Sequence, residues 1–200
     1  MQRLSLNALL ALALYSGSLQ TNAAESADEK AIHETLDRFI GSYFDGDFSR
    51  LGSLLHATTR RLFRDELSAQ WDQLQRVYTF EQISAVSGLA AHPKDLALSD
   101  AEFFLVACQQ TKARHPEIIP DQSLLPFDIR SSAFHGNNVD VTLSYGTHVI
   151  TERTNYAFVL PLVVVFQRES TGWQVLSCPL SRAIADRWQR DLACQNRRQP

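Results

Sequence analysis

His33 and Asp37 stand four positions apart. On a helix that spacing puts their side chains one turn apart on one face, and an imidazole held by a carboxylate can act as a general base. The same spacing also describes a solvated pair on an amphipathic helix, which is the commoner arrangement. His148 follows an alternating segment, Val139–Tyr145, and Asp128 and Arg130 sit on the segment before it. These three converge only if they share a sheet face, and the spacing does not fix which face they take. Tyr43, Trp71 and Tyr145 offer aromatic surface to a ligand, although their positions also fit the apolar faces of their elements and hence the core. His33, Asp37 and His148 are therefore the catalytic candidates; Tyr43, Trp71, Asp128, Arg130 and Tyr145 are the ligand-binding ones.

Other chemistry lacks its local marks. The chain has no His-Glu-x-x-His, Cys-x-x-Cys, Gly-x-Ser-x-Gly or phosphate-binding glycine loop, so the common zinc, thiol-redox, serine-hydrolase and nucleotide routes are not indicated. Six scattered histidines do not make a metal site. No metal and no cofactor are expected.

The chain opens with Arg3, an apolar run from Ala8 to Tyr15, and small or polar residues leading to Thr21-Asn22-Ala23-Ala24. This is the pattern of a cleavable signal peptide over residues 1–24, and the run is shorter than the roughly 20 residues a membrane span needs. The mature protein is expected to be periplasmic or secreted, with no membrane span after cleavage. No Cys lies near the cleavage site, so no lipid anchor is expected there. Residues 25–200 are long enough for one domain with a real core and short for two. Hydrophobic residues make up 44% and charged residues 20%, ordinary for a folded protein. Losing Arg3 takes the net charge from −3 to −4, and no basic block precedes Arg197-Arg198, so nucleic acid is not an expected partner.

Cys108, Cys178 and Cys194 are the disulfide candidates in an exported protein, and their odd number leaves one thiol over. A helix over Ser181–Ala193 would hold its ends about 18–20 Å apart, too far for Cys178 to reach Cys194. Any bridge should use Cys108. Three buried thiols acting as small hydrophobes are the alternative.

The elements that must position these residues are helices first and strands last. Ser26-Ala27-Asp28-Glu29 has the form of a capping box, and Ile32, Leu36, Phe39, Ile40, Tyr43 and Phe44 follow as one apolar stripe up to Gly46. Asp47 can cap a short helix carrying Leu51, Leu54 and Leu55. Phe63, Leu67, Trp71, Leu74 and Tyr78 predict a long helix from about Thr59 to Tyr78. Thr79–Leu98 reads as a short helix plus loop. Ser99-Asp100-Ala101-Glu102 opens another helix, closed by Pro116. From Phe127 the period becomes two: a hairpin turns at His135-Gly136-Asn137-Asn138, and Tyr156–Phe166 is apolar on both faces. That strand is expected to be central and covered on both sides, with a bulge or unpaired position at Pro161. The covering layer would be the terminal helix, capped by Ser181 and carrying Ile184, Trp188 and Leu192, or a partner subunit.

This order is α+β, with N-terminal helices packed on a curved antiparallel sheet and an additional C-terminal helix. It resembles the NTF2-like (SnoaL-like, ketosteroid-isomerase-like) superfamily in the helix Ile32–Phe44, the Asp45-Gly46-Asp47-Phe48 break, and the closing pair Val163-Val164-Val165-Phe166 and Gly172-Trp173-Gln174-Val175. The likeness covers about half of the mature chain, and residues 60–125 depart from it by offering more helix. It implies a conical pocket between the sheet and the first helix, and dimers formed through the outer sheet face. In the isomerase branch a Tyr on the first helix polarises the substrate carbonyl. Phe39 stands at that position here, and the acidic segment bearing the general base has no counterpart around Ala57–Arg64. That activity is not carried over.

Fold alone does not decide function. Two expectations follow: an exported, non-catalytic NTF2-like domain binding a small apolar molecule or a protein partner, a second copy of the chain included, or a pocket enzyme of isomerase or hydrolase type using a His/Asp base. Convergence of two or more of His33, Asp37, Asp128, Arg130 and His148 in one enclosed cavity would favour the enzyme.

Overall fold

A computed structural model describes residues 26–116, 127–150, 155–178 and 180–196, with the backbone alone at 127–128, 145–150, 155–162 and 196. The expected signal segment lies outside the described residues. Along the chain come α1 (Ala27–Asp45), α2 (Phe48–Leu54), α3 (Ala57–Leu74), α4 (Phe80–Ser87), α5 (Asp100–Arg114), β1 (Phe127–His135), β2 (Asn138–Ile150), β3 (Asn155–Glu169), β4 (Gly172–Val175) and α6 (Leu180–Asn196). The four strands form one antiparallel sheet in the order β1-β2-β3-β4. The fold is α+β, with the helices against one sheet face and an additional helix at the C-terminal end.

Local chemistry sets the helix boundaries. The Ser26 hydroxyl accepts from the Glu29 N–H at 3.1 Å while the Glu29 carboxylate accepts from the Ser26 N–H at 2.8 Å. Those two bonds satisfy orphan donors at the start of α1. Gly46 ends that helix at φ +66°, and Asp47 accepts from the Arg50 N–H at 3.0 Å to start α2. The terminal helix starts one residue before the expected Ser181 cap. Ser181 instead sits in its first turn and gives its hydroxyl to Glu66 on α3.

Val139, Val141 and Leu143 of β2, Val164 and Phe166 of β3 and Val175 of β4 are buried on one sheet face. They join Ile32 and Leu36 of α1 and Phe48 and Leu51 of α2 in a single core. Leu55 bridges Val175, and the His56 N–H donates to the Val175 carbonyl at 3.0 Å, tying the α2–α3 junction to the sheet edge.

Two expectations for β3 need correction. Val164 is 4% exposed but Val163 is 49% exposed, so the strand is not covered on both faces. The terminal helix does not supply a second layer, because its apolar stripe packs on α3 and α4, where Trp188 meets Trp71 edge-on at 6.2 Å. Of the two arrangements expected at Pro161, the strand takes the unpaired one: Pro161 stays in register opposite Ser144 with no bulge, and the irregularity falls at Arg130 in β1. Strand periodicity explains why. The Val165 N–H points away from β2, donating to the Ser177 hydroxyl at 3.0 Å. Pro161, four residues earlier, turns its nitrogen to the same side. Strand β4 pairs only with Phe166–Glu169, so no ladder bond is lost there.

Candidate functional site

Three helices meet around a cleft of about 470 Å³ lined by Ala85, Val86, Arg114, His115, Arg187, Asp191, Cys194 and Gln195. Each wall has a local cause. Helix α4 starts from a capping box between Thr79 and Gln82 and stops at Gly88, which sits at φ +74° where glycine is favoured. It contributes Ala85 and Val86. Helix α5 starts from the Ser99/Glu102 box and ends at His115, whose N–H donates to the Thr111 carbonyl at 2.7 Å. The following Pro116 disfavours helical backbone at His115, and His115 accordingly sits at φ −138°, ψ 65°. On α6, Ile184, Trp188 and Leu192 are buried toward the core, and Arg187, Asp191, Cys194 and Gln195 form the adjoining face.

Asp191 meets one partner on its own helix and one on α5. The Arg187 Nε lies 2.9 Å from Asp191 Oδ1 and donates to Oδ2 at 3.1 Å. The His115 Nε2 lies 3.1 Å from Asp191 Oδ2, yet its direction is poor for a hydrogen bond. Direction governs hydrogen bonding more steeply than a few tenths of an ångström, so this contact is a proximity and not a bond. The His115 side chain is 11% exposed.

Three further histidines stand beside carboxylates: His56 with Glu169 at 3.0 Å, His92 with Asp72 at 3.1 Å, and His135 with Asp140 at 3.7 Å. The His56 Nδ1 accepts from the Thr58 N–H and the His92 Nδ1 from the Lys94 N–H, each at 3.1 Å. Both nitrogens of those rings are engaged in fastening the fold. His115 is the member of this set that lines the cleft.

The sequence candidates lie elsewhere. His33 is half-buried on α1, where it helps to lower the Glu29 carboxyl after the Ser26 amide and hydroxyl, and Asp37 is exposed. Arg130 is exposed at the β1 irregularity and donates to the Ser144 hydroxyl at 2.7 Å. Asp128 pairs with Ser144, Tyr145 with Phe127 and Leu160, and His148 with Ala157 along the backbone; their side chains lie outside the described residues. Trp71 is fully buried against Phe80, His92 and Trp188, and its indole N–H finds no acceptor among the described residues. Tyr43 is half-buried against the core, where burial raises its phenol, followed by the nearby Cys178 and Cys108.

All three cysteines are free thiols: Cys108 is buried, and Cys194 is exposed at the cleft. Cys178 keeps some exposed surface, but its thiol is enclosed, and burial pushes it up to about 11. Among the described residues no group of His, Cys, Asp and Glu is arranged to hold a metal ion, and no helix is long and apolar enough to cross a membrane.

Sequence reasoning missed His115 and its partners. The available signal was the Arg187, Asp191 and Cys194 series at helical spacing beside the apolar stripe of α6, together with a histidine placed before a proline.

No protein family's sequence pattern matches the chain, and no curated protein is significantly similar to it. Among solved structures, an NTF2-like family protein of Streptomyces avermitilis, provisionally called a dehydratase, is similar over 77% of this chain and 95% of its own, at 15% identity and a TM-score of 0.38. An NTF2-like protein with a cystatin-like fold from Novosphingobium aromaticivorans is similar over 90% of this chain and 96% of its own, at 16% identity and a TM-score of 0.37. Both are NTF2-like proteins, and the dehydratase name belongs to the first alone.

Proposed function

We propose that the mature chain is an exported, non-catalytic binding domain that takes a small molecule with an apolar body in the cleft between α4, α5 and α6. One observation carries this reading: a cleft of about 470 Å³ with Ala85 and Val86 on its wall, in which Asp191, the one carboxylate among the described lining residues, is already held by Arg187. That volume falls in the range of small-molecule sites, about 300–1,000 Å³. The Arg187 guanidinium occupies both oxygens of that carboxylate, so the arrangement favours recognition over proton transfer. Native mass spectrometry of the protein recovered from the extracytoplasmic fraction should show a bound small molecule. Ala85→Trp, which sets a large ring on the exposed side of the cleft wall, should remove it. A protein cross-linked at the cleft in place of a small molecule would move the reading to a protein partner.

The enzyme reading keeps one supporting observation, the His115 Nε2 at 3.1 Å from Asp191 Oδ2. A turnover that is lost in His115→Ala and survives in His33→Ala would establish it.

A further inference from the structure

We infer that the cleft selects its ligand by a carboxylate, received by Arg114 and followed by a hydrocarbon body along Ala85 and Val86; this deepens the binding reading above and rests on it.

The charges decide the sign of the ligand. Arg187 and Asp191 satisfy one another, leaving Arg114 as the remaining permanent charge among the lining residues. Its bonds run through Nη1 alone, to the Gln110 side-chain oxygen at 2.6 Å and carbonyl at 3.4 Å. Nε and Nη2 have no hydrogen-bond partner among the described residues. Those two nitrogens form one edge of the guanidinium, which can receive both oxygens of a carboxylate in parallel bonds.

A glycine leaves room for that fork against the α4 terminus. A Cβ on Gly88 would stand 2.3 Å from Arg114 Nη1, 2.5 Å from Cζ and 2.8 Å from Nη2. The guanidinium therefore lies directly on the Gly88 backbone. Gly88 is a positioning residue, and its φ of +74° is a separate reason for glycine there. A rival account is that Arg114 merely complements the carbonyl ends of α4 and α5, which converge here. The two accounts differ in what a ligand would feel.

The test uses octanoate and its uncharged isostere octanamide, titrated calorimetrically into the mature protein. The parent should bind octanoate at least about tenfold more tightly than octanamide, as a charge-assisted pair requires. Arg114→Gln should abolish that preference. Gly88→Asn tolerates the left-handed backbone but carries a Cβ, so it should also lose the preference, with urea midpoints confirming that both variants fold. Equal binding of the two probes would overturn the carboxylate inference and leave the binding reading standing. The inference is also overturned if Arg114→Gln lowers stability but keeps the preference, or if inorganic phosphate competes as well as octanoate. Binding of neither probe would overturn it as well, and a ligand recovered in native mass spectrometry and lost in Ala85→Trp would then still uphold the binding reading.

Discussion

Trp188→Ala tests how the terminal helix is held. The ring is 1% exposed and stands edge-on to Trp71 at 6.2 Å with an interplanar angle of 87°, and Trp71 is itself fully buried. Removing a buried tryptophan leaves a cavity that costs about 3–5 kcal/mol. Loss of the edge-on pair accounts for about 0.5–1.5 kcal/mol of that. We expect about 4 kcal/mol, a large share of the roughly 5–15 kcal/mol that a domain possesses. For a chain of this size the melting temperature should fall by about 8–16 °C. Urea titration of the mature protein, followed by far-ultraviolet circular dichroism, measures the loss. Trp71→Ala and the double variant complete a cycle whose coupling should be about 1 kcal/mol. A loss below about 1 kcal/mol for Trp188→Ala, or strictly additive single variants, would refute the packing of α6 on α3 through this pair.

Mass spectrometry of the exported protein should find its N-terminus near Ala24 or Glu25, and an intact Met1 in that fraction would contradict export. With iodoacetamide at pH 8, Cys194 should react first in the native protein, because burial holds the Cys178 thiol up at about 11 and the Cys108 thiol well above 9. If peptide mapping without reductant finds a bridge, it should use Cys108, and a Cys178–Cys194 peptide would mean that α6 is broken. Ser99→Ala should cost about 1 kcal/mol by removing the cap of α5. The Ser99 hydroxyl and then its amide hold the Glu102 carboxyl below its ordinary 4.5. A carboxyl lowered on folding stabilises the native state above that value, and the contribution fades as the pH falls through the lowered one. Glu102→Gln should therefore flatten the acid limb of a stability-versus-pH curve below pH 4.5, and an unchanged limb would contradict this.

The helix starts were legible because their determinants are local. Ser26 with Glu29 and Ser99 with Glu102 each carry their reciprocal bonds within four residues, so the sequence contains the whole motif. The Thr79–Leu98 stretch was only partly legible, because the loop after α4 is organised from outside. Arg64, on α3, donates to the carbonyls of Pro93, Leu96 and Leu98 at 3.0, 2.6 and 2.6 Å and covers the Phe103 ring. No period within the loop encodes that. The cleft was illegible for the same reason: His115 and Asp191 lie 76 positions apart, and their meeting depends on how α5 and α6 pack. The chemistry anticipated at His33 and Asp37 used a spacing that most often describes a helix surface, and Asp37 is exposed there.

The proline opposite Ser144 bears on how copies of this chain can come together. Beyond Phe166 toward its start, β3 has β2 on one side and no strand on the other among the described residues. Such a margin is a template for adding a foreign strand, the route by which sheet proteins aggregate or swap segments. With its nitrogen on that margin, Pro161 withholds the amide that an incoming strand would need, and so guards the longest strand among the described residues. Any self-association of the chain is then steered away from this margin and toward a face, and a Pro161→Thr variant would be the form most prone to fibrous aggregation during refolding.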